Sequence, residues 1–189
     1  MIKSKGWDWK IVKSDIDCPW KIPSVESYYL LNRWENLNFK NFLDLGCGLG
    51  RHTVLFAENG FNVSGFDISK EGIRKTKEWL KNLDLKADLK VGDMLELPYE
   101  NESFDCILCR NVISHQDTEG VKQIIKELYR VLKNNGECYL TLGSKSTWGF
   151  KQDSWPLVDE NTRLRMEEGP EYKIPHFYAD YDLIKELFK

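Results

Sequence analysis

The chain has 189 residues, 41% of them hydrophobic, with 27 basic side chains against 30 acidic ones and a formal charge of −3. That is the length of one domain able to bury its own core without metal or disulfide staples, and the slight acidic excess counts against nucleic acid or an anionic membrane as partner. No segment approaches the roughly 18 uncharged apolar residues of a membrane span. The start, MIKSKGWDWK, has Lys3 and Lys5 with no apolar run behind them, so a soluble cytoplasmic protein is expected.

Residues 1–36 are irregular and aromatic, with Trp7, Trp9, Trp20, Tyr28, Tyr29 and Trp34 among charges, until SVESYYLLNRWEN reads as a short helix. From Phe39 onward strand and helix alternate. FLDL is a short apolar strand, RHTVLFAEN a helix closed by Gly60, and NVSGFD a second strand. Ser69 caps the next helix, whose apolar residues Ile73, Trp79, Leu80 and Leu83 share one side; its basic residues from Lys70 to Lys81 read as solvated outer surface.

ADLKV is a third, weaker strand, residues 92–103 are turn-like, and FDCILC is a fourth strand, apolar enough for the middle of a parallel sheet. Asp105 at its start reads as a structural turn residue. Cys106 and Cys109 form a C-x-x-C spacing, but on a strand they face opposite sides, and no second pair stands at metal-ligand spacing. They read as packing, no metal is expected, and the odd total of five cysteines fits reduced thiols.

Val121, Ile124, Ile125, Leu128 and Leu132 trace the i, i+3, i+4, i+7 pattern of a helix, which Asn134, Asn135 and Gly136 should stop before a fifth strand, ECYLTL. Residues 144–179 break the alternation. They are too long for an idle connection and read as an excursion over the site with room for a helix of its own. YDLIKELFK then starts an amphipathic helix on Leu183, Ile184, Leu187 and Phe188. The organisation expected over 1–189 is a single domain: an aromatic N-terminal segment or lid (1–36), a ligand-binding core (37–143), and an acceptor-side excursion with the last helix (144–189). Five strands alternating with helices make this an α/β protein with right-handed crossovers and a doubly wound, mostly parallel sheet.

In such a sheet ligands bind at the carboxyl ends of the strands, first of all at the turn after strand one. There stand Gly46, Gly48 and Gly50 in FLDLGCGLGRHT, where missing side chains let backbone amides and a helix N-terminus approach an anionic group. The spacing excludes the dinucleotide pattern G-x-G-x-x-G, because Arg51 stands three residues beyond Gly48, and it excludes a P-loop, because G-R-H is not G-K-[ST].

D-x-G-x-G-x-G, from Asp44 to Gly50, resembles the first motif of the class I S-adenosylmethionine-dependent methyltransferases. The resemblance runs from about Phe42 to Leu142 and includes Asp67 in GFDIS, Asp93 and Met94 in GDMLELPYENESFDCI, and the run LYRVLKNNGECYLTL. It implies a Rossmann-like fold with strand order 3-2-1-4-5, S-adenosylmethionine as cofactor and S-adenosylhomocysteine as product. It also implies a set of contacts. Asp44 would meet the cofactor's amino group directly or through water, while the loop Gly46, Cys47, Gly48 and Gly50 borders the methionyl part. Asp67, with Ile68 beside it, would take the ribose hydroxyls, Asp93 the adenine amine and the Met94 amide the ring. Arg51 or Arg110 would reach the carboxylate, and Arg110, Asn111 and Val112 would line the methionyl side.

Methyl transfer is an in-line displacement that needs a base only when the acceptor must lose a proton. His115 in NVISH and His176 in IPHFY are the two candidates, each with the alternative of capping a turn or filling a loop. His52 is read as partly exposed or capping, and Cys47 as a space-filler without a base in reach. The N-terminal aromatics either close over the site or lie as an apron on the sheet, with Tyr28 and Tyr29 expected to reach the cofactor. The family's sheet has seven strands, the last two following the helix that begins here near Asp180. This sequence ends within that helix, whether as a truncated piece or as the natural end, so those two strands are missing and ECYLTL is left as an edge that a cover or an oligomer partner would take. A small-molecule acceptor is expected, with RNA or protein methylation, or S-adenosylmethionine binding without turnover, as the alternatives.

Overall fold

The computed structural model describes residues 3–10, 12 and 19–189; Met1, Ile2 and Cys18, which figure in the reading of the N-terminus and of the cysteines, lie outside them. Five strands, β1 (Asn41–Leu45), β2 (Asn62–Asp67), β3 (Asp88–Val91), β4 (Phe104–Cys109) and β5 (Leu132–Leu140), form one parallel sheet in the order β3-β2-β1-β4-β5, the expected 3-2-1-4-5. The helices are α1 (Val25–Asn36), α2 (Arg51–Glu58), α3 (Lys70–Asn82), α4 (Thr118–Val131) and α5 (Tyr181–Leu187). Ser69 caps α3 by accepting from the Gly72 amide, and Asp117 and Asp180 cap α4 and α5 in the same way.

The period-two alternation of β4 divides the core. Ile107 and Cys109 face α4, whose Val121, Ile124, Ile125, Leu128 and Val131 are buried with them. Cys106 and Leu108 face the other way, into a cluster of Leu30, Leu31 and Trp34 of α1, Leu55 and Phe56 of α2, and Phe42 of β1. The two cysteines of the C-x-x-C spacing thus lie on opposite faces, and Cys47, Cys106, Cys109 and Cys138 are all free thiols. Asp105 is structural as expected: it accepts from the Lys40 and Asn41 amides and from Lys133 Nζ.

Two local readings are corrected. The helix α4 ends at Val131, and Asn134, Asn135 and Gly136 lie inside β5, not before it. The pairing jumps from Phe104–Leu132 to Cys106–Glu137, and this irregularity absorbs the surplus residues, with Asn135 at φ +64°. Residues 144–179 contain no helix. Together with Gly143 they carry β6 (Gly143–Ser144), β7 (Leu157–Asp159), β8 (Thr162–Leu164) and β9 (Pro175–Ala179), a second sheet in the order β6-β9-β8-β7. Pro156, Pro170 and Pro175 break helical runs there, and Phe177 and Ala179 of β9 anchor the unit in the α4-side core. Leu183 and Leu187 of α5 pack on the same core, whereas Ile184 and Phe188 remain 39% exposed. Among the described residues no helix is long and apolar enough to cross a membrane.

Candidate functional site

The carboxyl ends of β1, β2 and β4, the loops that follow them, the N-terminal tryptophans and the second sheet enclose a cavity of about 590 Å³. Of the expected ligand-binding residues, Asp44, Gly46, Cys47, Gly48, Arg51, Asp67, Ile68, Asp93, Met94, Arg110 and Asn111 line it, as do His115 and His176. Gly50 does not line it; it stands behind the loop as the N-cap of α2.

The loop is built by conformation and close approach. Gly46 and Gly48 have φ of +74° and +55°, where a side chain is strained. A Cβ on Gly46 would run into Val112, and one on Gly48 would lie 2.7 Å from the Trp9 ring. The loop amides are already engaged: Gly46 and Cys47 both donate to the Phe66 carbonyl at 2.7 and 3.1 Å, and Gly48 donates to Asp67 at 2.8 Å. What the glycines supply to a ligand is therefore room, and the expectation that their amides are free donors is revised.

Asp67 closes β2. Its Oδ2 accepts from Gly48 and its Oδ1 from the Ser69 amide at 2.7 Å, which fixes the carboxylate while leaving each oxygen a further lone pair. Burial raises its pKa, against the pull of those two amides. Asp93 accepts from the Leu95 amide at 3.1 Å. At the other end Arg51 donates to the Ile22 carbonyl at 3.3 Å, and Arg110 Nε stands 3.6 Å from Glu26. Burial and the neighbouring Arg110 hold Arg51 below the usual guanidinium range. Arg110 Nε is buried without a hydrogen-bond acceptor, so this end offers cationic donors in search of an anion.

Asp44 is fully enclosed, accepting from Thr53 Oγ1 at 2.6 Å, and burial pushes its carboxyl up to about 6 from 3.8. Because the folded-state pKa lies above the unfolded one, the stability this group contributes is complete below about pH 4 and is lost as pH rises through about 6. At neutral pH the buried charge costs on the order of 2–3 kcal/mol. Asp44→Asn should accordingly stabilise the ligand-free protein at pH 7 and not at pH 4, while the amide still accepts from Thr53. Urea midpoints of both proteins at the two pH values check this; an equal difference at both would refute it.

Three expectations fail on geometry. Tyr28 and Tyr29, on α1, are 52% and 67% exposed and do not line the cavity. Their place is taken by Trp7, Trp9 and Trp20, whose rings pack at 4.6–6.1 Å between centroids. Lys75 of α3 is not free surface: its Nζ donates to the Trp9 carbonyl at 2.9 Å and to that of Val12 at 3.3 Å, tying down the tryptophan segment. His52 is buried, not partly exposed; its Nε2 accepts from the Ser24 amide at 3.3 Å, and burial pushes its pKa down to about 3, keeping it a neutral acceptor.

His115, in the loop after β4, and His176, on β9, meet with ring centroids 5.0 Å apart. Between them stands Glu171, its oxygens 3.5 Å from His115 Nε2 and 3.7 Å from His176 Nε2. Burial, together with the adjacent His115, holds His176 below the ordinary histidine range, and hydrogen bonding and the facing cationic groups hold Glu171 below the usual carboxylate range despite its burial. Arg165 pairs with Glu171 and, at 2.9 Å, with Glu167. Neither Glu171 nor Arg165 stands in a motif. The only cue in the sequence is that PEYKIPHFY brings an acidic residue and a histidine close together within a segment already assigned to the acceptor side.

A glycine loop after the first strand, acidic residues after the second and third, and a cavity at the carboxyl ends of a 3-2-1-4-5 sheet define a nucleotide-ligand α/β domain. The model of the methyltransferase domain family matches residues 42–136, and the chain belongs to that family, the class I, Rossmann-like methyltransferases whose cofactor is S-adenosylmethionine. Demethylmenaquinone methyltransferase of Lactobacillus johnsonii is 30% identical over 129 residues, which are 61% of this chain and 52% of that protein. Norajmaline N-methyltransferase of Rauvolfia serpentina is 38% identical over 96 residues, 49% of this chain and 32% of that protein. The chain thus spans about half the length of the demethylmenaquinone methyltransferases that it matches. Among solved structures, a SAM-dependent methyltransferase of Methanosarcina mazei superposes with a TM-score of 0.67 at 26% identity, covering 78% of this chain and 76% of that one. A protein of Pyrococcus horikoshii gives 0.68 at 26% identity, covering 95% and 86%.

Proposed function

We propose that this chain transfers the methyl group of S-adenosylmethionine to a small-molecule acceptor and releases S-adenosylhomocysteine. The observation that carries the reading is one cavity lined by two chemically different sets of side chains: Asp44, Asp67, Asp93 and the glycine loop, and the group of His115, Glu171 and His176. The donor set suits the cofactor. Asp67 offers two fixed acceptors suited to a pair of ribose hydroxyls, Asp93 and the Met94 amide would read an adenine edge, Asp44 would balance an ammonium, and the unsatisfied Arg110 Nε, with Arg51, suits a carboxylate. When bound, the cofactor supplies the activated methyl on a cationic sulfur. The protein's own part is to hold the acceptor in line, keep water out and manage the acceptor's proton.

Trp7, Trp9 and Trp20, tethered by Lys75, form the cover that excludes water, so within 1–36 the tryptophans act as the lid on the core at 37–143 while α1 packs as part of that core, and residues 144–189 supply the acceptor side. His115, Glu171 and His176 are the groups that assist departure of the acceptor's proton. The relatives' named substrates, demethylmenaquinone and norajmaline, are small molecules and support that class of acceptor here. The test is transfer of labelled methyl from S-adenosylmethionine to a panel of phenols, quinols and amines, beside bulk RNA and protein. Labelled product among the small molecules is expected; label only in RNA or protein, or binding of S-adenosylmethionine with no transfer to any acceptor, would overturn the reading.

A further inference from the structure

We propose that His115, Glu171 and His176 form a site for a divalent first-row transition ion of the zinc type, opening onto the acceptor end of the cavity. The inference deepens the reading of that end; binding of the ion does not depend on methyl transfer, whereas its chemical use does. Three donors from two segments, the loop after β4 and the run from Glu171 to His176, converge, and their ligand atoms all lie within 4.8 Å of one another. Glu171 Oε1 lies 3.5 Å from His115 Nε2, within the roughly 3.3–3.6 Å between neighbouring ligands of a tetrahedral ion held at about 2.0–2.2 Å, and the other oxygen of the same carboxylate, Oε2, lies 3.7 Å from His176 Nε2. Two imidazoles and one carboxylate are a donor set of zinc and of ferrous iron, and not of magnesium or calcium.

His176 Nε2 points into the cluster, is buried and has no hydrogen-bond partner, a costly state for an imidazole nitrogen that a metal ligand would not suffer. The charges agree. Arg165 pairs with both Glu167 and Glu171, so these three groups together carry −1 and leave the site attractive to a dication. Arg165 holds Glu171 through Oε2, the oxygen that also faces His176, and leaves Oε1, which faces His115, as the oxygen to ligate; an outer partner orients a ligating carboxylate in this way. Three protein ligands leave a fourth position, the mark of a reactive rather than a purely structural site.

An acceptor hydroxyl taken there would release its proton to solvent more readily. The oxygen's electron pair would form the new C–O bond, and the C–S bond of the sulfonium would break with its pair passing to sulfur, giving the methyl ether and S-adenosylhomocysteine.

The experiment uses the whole chain, stripped with a chelator and titrated with Co²⁺ while the visible d–d absorption is recorded, then challenged with Zn²⁺. One saturable site, displaced by zinc, is expected. Glu171→Gln and His115→Gln should each weaken uptake by at least about tenfold, with folding confirmed by circular dichroism and thermal unfolding; change of an outer partner alone costs about 10–100-fold in metal sites. Absence of cobalt uptake by the wild-type chain, or uptake unchanged in both variants, would overturn the proposal. S-adenosylhomocysteine binding is measured on the same wild-type preparation. Binding of that ligand without metal sinks the ion alone and leaves the histidines as a free base, whereas metal uptake without it sinks the methyltransferase reading alone.

Discussion

Trp34→Ala is expected to lower the unfolding free energy by about 3–5 kcal/mol, a fall in Tm on the order of 10 °C for a domain of this size. Trp34 is wholly buried and packs against Phe42 and Phe56 at 5.9 and 5.6 Å, with those two rings stacked on each other at 3.9 Å. Alanine would leave a ring-sized void that this aromatic nest cannot close by rotamer changes, and Glu137 would lose the donor that Trp34 Nε1 supplies at 2.9 Å. Arg33→Ala removes the neighbouring charge from the same carboxylate, but that pair is open to solvent, which screens it, and a much smaller loss is expected. Urea unfolding of both variants separates the terms. A Trp34→Ala loss no larger than that of Arg33→Ala would mean that α1 is not part of the cooperative core.

Asp67→Ala should weaken S-adenosylhomocysteine binding by a factor of about 100 or more. Two hydrogen bonds from ribose hydroxyls to a carboxylate are together worth about 3 kcal/mol or more. The fold should suffer less than the site, because the substitution removes a buried charge at the same time as it frees the Gly48 and Ser69 amides. Asp67→Asn keeps the shape of the side chain and one amide contact, so a binding loss in both variants, measured by calorimetry on folded protein, locates the effect in the carboxylate. Unchanged affinity in Asp67→Ala would remove this residue from the site and with it the reading of the glycine loop.

Much of this was legible because it is local. A period of two in FDCILC, a period of 3.6 in the following helix and the cap at Ser69 each express contacts within a few residues, and each element lies where those signals put it. The D-x-G-x-G-x-G spacing is equally local. What was not legible depends on distant partners. Nothing near Glu171 says that a loop 56 residues upstream holds the histidine opposite it. Lys75 looked like surface because its acceptors are the carbonyls of Trp9 and Val12, 66 and 63 residues away. Tyr28 and Tyr29 looked like lid residues because they are aromatic, but on α1 they fall on the face opposite Leu30, Leu31 and Trp34, and burial of that apolar face turned them outward. The helix end was misplaced because Asn-Asn-Gly is an ordinary stop signal, which the irregular pairing of β5 with β4 overrode.

The grip of Glu137 on α1 also has a kinetic meaning. Arg33 and Trp34 donate to a residue 104 and 103 positions further along the chain. On a ribosome adding about 5–20 residues per second, the first helix therefore waits roughly 5–20 s for the strand that completes its seat. Through that interval Leu30, Leu31 and Trp34 have only part of their final cover. The finished sheet assembles from short crossovers, and its first helix can settle early on the nearby Phe42 and Phe56, but its seat is complete only after a loop closure of about a hundred residues.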